Sequence, residues 1–160
     1  MTPVFRSAER QAALLVEARS WLGTPFVPRG NLKGAGVDCV HLPAEIYRAL
    51  HALSSYDFPD YHLDSGSHAD RSLVTGWLDG RPDFAPLAPV EARLRQGFGA
   101  ASLLPGDLLA FRIGKVVHHV GLLLGQARFI HCLRHRGVLE SDLRDPTYAK
   151  RLVCAYRPLQ

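Results

Sequence analysis

Cysteine is scarce in this chain, and long uncharged apolar runs are missing. The three cysteines, Cys39, Cys132 and Cys154, are an odd number, which excludes a full disulfide framework. No apolar run approaches the ~20 residues that a membrane helix needs, so we expect no membrane span. Charges at Arg6 and Glu9 interrupt the first segment before an apolar stretch builds, unlike a secretory signal. We therefore expect a cytoplasmic protein with reduced thiols.

A strong charge of one sign is also missing. The net charge is +4, and the 19 basic residues are spread along the whole chain. This small surplus does not favour nucleic acid as a partner. With 47% apolar and 21% charged residues, the composition excludes a disordered tail, a collagen-like rod and a coiled coil. We interpret residues 1–160 as a single domain that is large enough to fold without a disulfide or metal.

Helical periodicity dominates the start of the chain. Residues 7–22 are predicted to form a helix that Ser7 caps, because apolar residues recur there at helical spacing. Gly23 and the proline that follows nearby end this pattern. Residues 23–38 are predicted to be a loop, since glycine and proline are dense in them.

A second helix is predicted to start at Cys39, with Asp38 as its N-cap. Pro43 lies just inside its first turn and removes one backbone hydrogen bond, so the start should be distorted. Two short helices are predicted over about 68–79 and 89–97, within an irregular connection rich in proline, glycine and aspartate.

The last third of the chain has the pattern of a sheet. Its short runs are rich in β-branched and aromatic residues and are separated by turn signals. These runs are 108–113, 116–125, 128–133, 137–141 and 151–157. Helices followed by strands predict an α+β fold in which N-terminal helices pack on a C-terminal antiparallel sheet.

Cys39 is the first candidate for chemistry. A thiol at a helix start, behind a glycine-rich loop, experiences the positive end of the helix dipole and unpaired backbone N–H groups. Both favour the nucleophilic thiolate, and the same N–H groups would stabilise a developing oxyanion. The alternative interpretation is a small buried cysteine that only packs.

Two histidines on consecutive strands, His119 and His131, are the second candidate. A nucleophilic cysteine needs a base, and the base needs a third polar group to fix its tautomer. Side chains alternate along a strand, so His118 and His119 point to opposite faces. A two-residue turn at 126–127 would place His119 and His131 on opposite faces, so their cooperation requires a loop with an odd number of residues.

A zinc site is the competing interpretation of this region. The possible ligands are His118, His119, His131, Cys132 and His135. None of the usual paired spacings of zinc ligands is present, and adjacent strand residues point apart. We therefore predict neither a metal site nor another cofactor.

An ordered set of motifs resembles the NlpC-type cysteine peptidases, in particular the phage-tail and prophage cell-wall peptidase branch. The motifs are SWLGTPFVPRGNLKGAGVDC, PGDLLAFR, HHVGLLLG and FIHCLRHRGVLES. The resemblance covers most of the chain outside about 54–100. It implies a papain-like α+β fold in which Cys39 is the nucleophile, His119 the base and His131 the residue that orients the base.

The resemblance also implies a substrate. Members of the family cleave amide bonds in peptidoglycan stem peptides, typically between D-γ-glutamyl and a diamino acid. Asp38 would cap the helix and could also contact the free amine of the substrate. The resemblance further suggests phage-tail components as partners, and action on a virion tail or after release to the cell wall.

Several residues depart from the family pattern near the nucleophile. Phe26 stands where most relatives have tyrosine, His41 replaces a small residue, and Cys132 replaces an alanine. We expect Phe26, His41 and His118 on the substrate side of the cleft. These departures leave two alternatives open: a thiol acyltransferase or non-peptidase amidase on the same scaffold, and a phage-tail or cell-wall binding component with a decayed site.

Overall fold

A computed structural model describes residues 1–60, 72–87, 103–114 and 116–160. Its helices are α1 (Ala8–Arg19), α2 (His41–Ala49), α3 (Leu73–Asp79) and α4 (Pro146–Ala149). Its strands are β1 (Asn31–Leu32), β2 (Gly36–Val37), β3 (Phe84–Leu87), β4 (Leu108–Ile113), β5 (Val116–Gly125), β6 (Arg128–Leu133), β7 (Gly137–Asp142) and β8 (Leu152–Pro158). The helix predicted over 89–97 lies outside the described residues, as does the start of the one predicted over 68–79.

The first helix is confirmed, with an earlier end than predicted. The Ser7 hydroxyl accepts a hydrogen bond from the Arg10 amide at 3.2 Å, which is the capping contact. After Arg19 the backbone hydrogen bonds join residues three apart, as in a 3₁₀ turn, such as Leu22 N to Arg19 O at 3.2 Å. Gly23 then takes a φ of 81°, a left-handed conformation that ends helices and that glycine adopts without strain.

Helix α2 begins at His41, two residues later than predicted. The N-cap position is therefore Val40, whose side chain makes no capping bond. The Asp38 carboxylate still stabilises the helix start from two residues earlier, because its Oδ1 atom accepts hydrogen bonds from the amides of Val40 at 3.1 Å and His41 at 2.8 Å. Pro43 has no N–H and cannot bond the carbonyl of Cys39. The residues between Asp38 and His41 therefore form a turn that leads into the helix.

Six strands form one antiparallel sheet in the order β3-β8-β4-β5-β6-β7. The five C-terminal strands are confirmed, and β3 is an additional edge strand that the sequence did not predict. It contains Pro86, which lacks a donor and argues against a strand except at a sheet edge. The predicted loop 23–38 also holds a small hairpin, β1 with β2.

The two faces of this sheet are covered differently. One face packs against α1, α2 and α3 through the larger apolar core, in which Leu42, Ile46 and Ile130 are fully buried. The other face carries a smaller core around Phe111 and Phe129. Across the ranges that the structure describes, no helix has the length and apolar character to cross a membrane.

Candidate active site

The thiol of Cys39 lies against the backbone of strand β5. Its Sγ atom is 4.0 Å from the carbonyl oxygen of His118, and the N–H of Val120 lowers its pKa. The sulfur therefore contacts the strand on both sides of His119. The turn capped by Asp38 and strand β5 thus bring together two residues that are 80 positions apart in the chain.

The two predicted histidines are hydrogen bonded to each other. His119 Nε2 lies 2.8 Å from His131 Nδ1, and His131 Nε2 lies 2.8 Å from the Ser141 hydroxyl. His119 is 6% exposed and His131 is 0% exposed. The rings of Phe129 and Tyr148 pack against His131, with centroids at 4.6 and 5.2 Å. The aromatic rings and the hydrogen bonds therefore hold the imidazoles in one orientation.

A β-bulge brings the two histidines to the same face of the sheet. The turn between β5 and β6 has two residues, Gln126 and Ala127, both with positive φ, and Gly125 pairs with Arg128. The register then shifts, so that the partner of Phe129 is Leu123 and Leu124 is the extra residue. The prediction that cooperation requires an odd loop was therefore wrong, because the bulge supplies the odd residue within the strand.

Desolvation favours the neutral forms of the half-buried Cys39 thiol and of both imidazoles. Desolvation, reinforced by the Asp38 carboxylate, raises the pKa of Cys39 to about 12. Desolvation lowers the pKa of His119 to about 3 and that of His131 to about 4, and the Arg136 charge adds to the shift at His131. Desolvation and the Asp38 carboxylate therefore act against the thiolate that the helix start was expected to favour.

Asp38 is fully buried and strongly engaged. Besides its two capping bonds, its Oδ2 accepts from the Arg29 amide at 2.7 Å, and its Oδ1 lies 2.7 Å from His41 Nδ1. These contacts fix the loop in front of Cys39 onto the start of α2. They agree with the capping role, and the contact with a substrate amine stays a prediction.

Comparison with known proteins identifies the family of this chain and its fold. The model of the NlpC/P60 family matches residues 23–157. The chain belongs to the NlpC/P60 family. A segment of 59 residues is 37% identical to the murein DD-endopeptidase MepS/murein LD-carboxypeptidase of Escherichia coli K12. That segment is 37% of this chain and 31% of the relative, so the match spans about a third of the relative's length.

Solved NlpC/P60 structures share the fold. A lipoprotein-like family member from Staphylococcus aureus Mu50 superposes with a TM-score of 0.65 at 20% identity, over 100% of this chain and 45% of the other. A family protein from Bacillus cereus ATCC 10987 gives 0.62 at 23% identity, over 94% and 40%. The NlpC/p60 domain of the peptidoglycan hydrolase SagA gives 0.54 at 17% identity, over 94% and 98%. These similarities confirm the α+β fold of this NlpC/P60 chain.

The residues expected on the substrate side lie at three different places in this NlpC/P60 domain. His41 binds Asp38 and packs edge-on against Tyr56, with ring centroids 5.6 Å apart. Phe26 bridges to Val37 and lines an open groove. His118 is half-buried and turns its carbonyl toward the thiol. Their contacts with substrate stay predictions.

Metal binding has no further support from the geometry. Within the described ranges, His, Cys, Asp and Glu side chains do not gather in a group of three or more that could hold a metal ion. The nitrogen atoms of His119 and His131 that face each other are used in their mutual hydrogen bond. Cys132 is buried on the helix side of the sheet, where its thiol donates to the Val37 carbonyl at 3.3 Å.

Ser141 is the site residue that sequence analysis missed. It ends the predicted strand 137–141 and pairs with Phe129 in the sheet, which places it diagonally from His131. The strand also contains Glu140 and Asp142, so its pattern did not single out Ser141. The register between β6 and β7 decides which side chains meet, and the sequence alone does not determine that register.

Proposed function

We propose that this protein is a cysteine hydrolase that cleaves amide bonds in peptidoglycan stem peptides, of the D-γ-glutamyl–diamino acid type. The observation that carries the proposal is the position of the Cys39 thiol against the His118 carbonyl, one residue before His119, which begins the hydrogen-bonded chain of His119, His131 and Ser141. Membership of the NlpC/P60 family and the similarity to a murein endopeptidase support the substrate class.

The hydrogen bonds support a specific proton arrangement. For His119 to act as base, its Nδ1 must carry a lone pair, so its Nε2–H donates to Nδ1 of His131. His131 then carries its own proton on Nε2 and donates it to the Ser141 hydroxyl. Ser141 thus acts as a positioning residue that fixes the tautomer of both imidazoles.

Catalysis then starts from a neutral thiol and a neutral imidazole. His119 Nδ1 takes the proton of Cys39 as the sulfur attacks the amide carbon, and the imidazolium gives this proton to the leaving amine. The resulting thioester is hydrolysed by water, whose proton passes to His119 and then back to the thiolate. The carboxylic acid is released, and both residues return to their starting states.

The backbone of Cys39 itself is the donor we propose for the oxyanion. The amides of Val40 and His41 are already bonded to Asp38, so they are not directed at a ligand. The N–H of Cys39 lies beside its own sulfur and lowers the pKa of the thiol. A negative charge that forms on the attacked carbonyl oxygen would be stabilised by this N–H.

The decisive experiment is the variant Cys39→Ala, assayed on a synthetic stem peptide with a D-γ-glutamyl–diamino acid bond. We expect a rate at least about 1000-fold lower than that of the original protein, measured as amine release by mass spectrometry, with an unchanged circular dichroism spectrum. Cys154→Ala is the matched control, because this half-buried cysteine lies on β8, and it should retain activity.

The same assay separates the proposed hydrolase from the alternatives. Cleavage by Cys39→Ala at the original rate would contradict the assignment of the nucleophile. A new amide formed with an added amine, in place of the acid, would indicate an acyltransferase. The proposed substrate lies in the cell wall, so the proposal also requires delivery to the wall, by a phage tail or by release from the cell.

A further inference from the structure

An open groove of about 740 Å³ lies between the loop that leads toward Cys39 and the turn that joins β6 to β7. We call it the basic groove. One wall is formed by the loop residues Gly23, Pro25, Phe26 and Pro28, and the other by the β6–β7 turn, Arg134, His135, Arg136 and Gly137. None of the functions assigned above uses the arginines of this turn.

Hydrogen bonds hold the two walls together at the base of the groove. The Val138 amide donates to the Thr24 carbonyl at 2.9 Å, and the Gly23 amide donates to the Val138 carbonyl at 3.1 Å. Gly137 makes this approach possible, because a Cβ atom there would meet the Thr24 carbonyl oxygen at 2.5 Å. These backbone hydrogen bonds therefore hold the two walls of the groove at a set distance from each other.

The groove carries positive charge, and both of its walls belong to segments that lead to the candidate catalytic residues. Two arginines lie on one wall, and none of the described residues that line the groove is acidic. The charge of Arg136 lowers the pKa of His131, so its field reaches the histidine chain. On the other wall, Phe26 bridges to Val37, two residues before Cys39.

We propose that the basic groove binds the free α-carboxylate of the γ-linked glutamyl residue in the substrate, with Arg136 as the cation that recognises it. This inference rests on the proposed function. A γ-linked glutamyl residue uses its side-chain carboxyl in the amide bond, so its α-carboxylate remains free. That carboxylate is four bonds from the attacked carbon, roughly 5 Å in an extended chain, so it must bind next to the nucleophile.

Arginine suits this task better than lysine does. Its planar guanidinium presents two parallel N–H donors that match the two oxygens of a carboxylate. The proline and phenylalanine side chains of the opposite wall provide apolar contact for the methylene groups of the glutamyl residue. The groove thus combines cationic side chains with an apolar wall, which suits methylene groups that lead to a free α-carboxylate.

The test compares two peptides that differ in one group, the free α-carboxylate and its neutral carboxamide. We expect Arg136→Ala to raise KM for the acid about 10- to 100-fold and to change KM for the amide less than about 2-fold. Arg136→Lys should lie between, because it keeps the charge and loses the fork. Arg6→Ala removes an equal charge from an exposed residue outside the groove and should change neither KM.

A purely electrostatic effect of Arg136 on His131 would change kcat for both peptides equally, and that result would overturn the inference. Equal rises in KM for acid and amide would also overturn it. Binding of both peptides to Cys39→Ala, measured by calorimetry, tests the groove without turnover. If the original protein cleaves neither peptide but Cys39→Ala binds the acid more tightly than the amide, the proposed function fails and the inference about the groove stands. If Cys39→Ala binds the two peptides equally, the inference about the groove fails and the proposed function is unaffected.

Discussion

At Cys39 two local effects act on the thiol in opposite directions. The helix start and the N–H groups of Cys39 and Val120 favour the thiolate, while burial and the Asp38 carboxylate favour the thiol. Desolvation and the Asp38 carboxylate have the larger effect on the pKa of Cys39. Desolvation also favours the neutral form of His119. In the proposed mechanism, the thiol therefore has to lose its proton during attack, so the orientation of the imidazole that accepts the proton is critical.

Ser141→Ala tests that orientation. The variant leaves the Nε2–H of the fully buried His131 without its acceptor, so we expect kcat to fall about 10-fold or more with KM within about 2-fold. Ser141→Thr keeps a hydroxyl at this position and should recover most of the activity. If threonine is as slow as alanine in steady-state kinetics, the hydroxyl does not fix the tautomer.

At the scale of elements, two irregularities create the site. The bulge at Leu124 changes the face on which β5 side chains emerge relative to β6, and without it His119 and His131 would point apart. The left-handed conformation of Gly137, with a φ of 73°, lets the start of β7 touch the loop at Thr24. With regular strand geometry at these two positions, neither the contact between the two histidines nor the contact between β7 and Thr24 would form.

The variant Gly137→Ala tests the contact between the start of β7 and the loop at Thr24. Gly34→Ala is its matched control. Gly137 has a φ of 73° and Gly34 a φ of 80°, so both alanines incur a strain of about 1–2 kcal/mol. Only at position 137 does the added Cβ meet backbone, whereas at position 34 nothing lies within 4 Å. Urea unfolding should show a larger loss for Gly137→Ala; equal losses would mean that the loop moves freely to make room.

At the scale of the whole molecule, the buried neutral groups couple folding to pH. His119 and His131 have folded pKa values of about 3 and about 4, below the ordinary value of 6.5. At a pH between the folded and the ordinary pKa of a histidine, the unfolded chain binds more protons than the folded one. The free energy of unfolding therefore falls as the pH falls from 6.5 toward 4. For Cys39 the folded pKa of about 12 exceeds the ordinary 9.0, so stability also falls as pH rises above 9.

Urea unfolding between pH 4.5 and 6.5 should therefore show a free energy of unfolding that decreases toward acid. Each histidine contributes up to about 1.4 kcal/mol per pH unit. His119→Gln removes one of the two titrating groups and leaves the other ionisable residues in place, so its acid slope should be smaller by about that amount. An identical slope in the variant would show that His119 is not a buried neutral group in the folded protein.

Sequence reasoning determined much of this protein. Local patterns predicted the first two helices, the C-terminal strands and the α+β class, because periodicity and capping residues act over short distances. The ordered motifs indicated the family, which the match over residues 23–157 confirms. These inferences succeeded because each helix, strand or motif depends on residues that are close together in the chain. The catalytic roles of Cys39, His119 and His131 stay predictions.

Features that depend on residues far apart in the chain were decided only by the tertiary structure. The edge strand β3, the bulge at Leu124 and the pairing that brings Ser141 to His131 all follow from strand register, which packing of the whole sheet sets. The protonation of Cys39 and His119 was also decided there, since desolvation depends on what surrounds a group in space. The basic groove exists because a turn at 134–137 meets a loop more than a hundred residues earlier in the sequence.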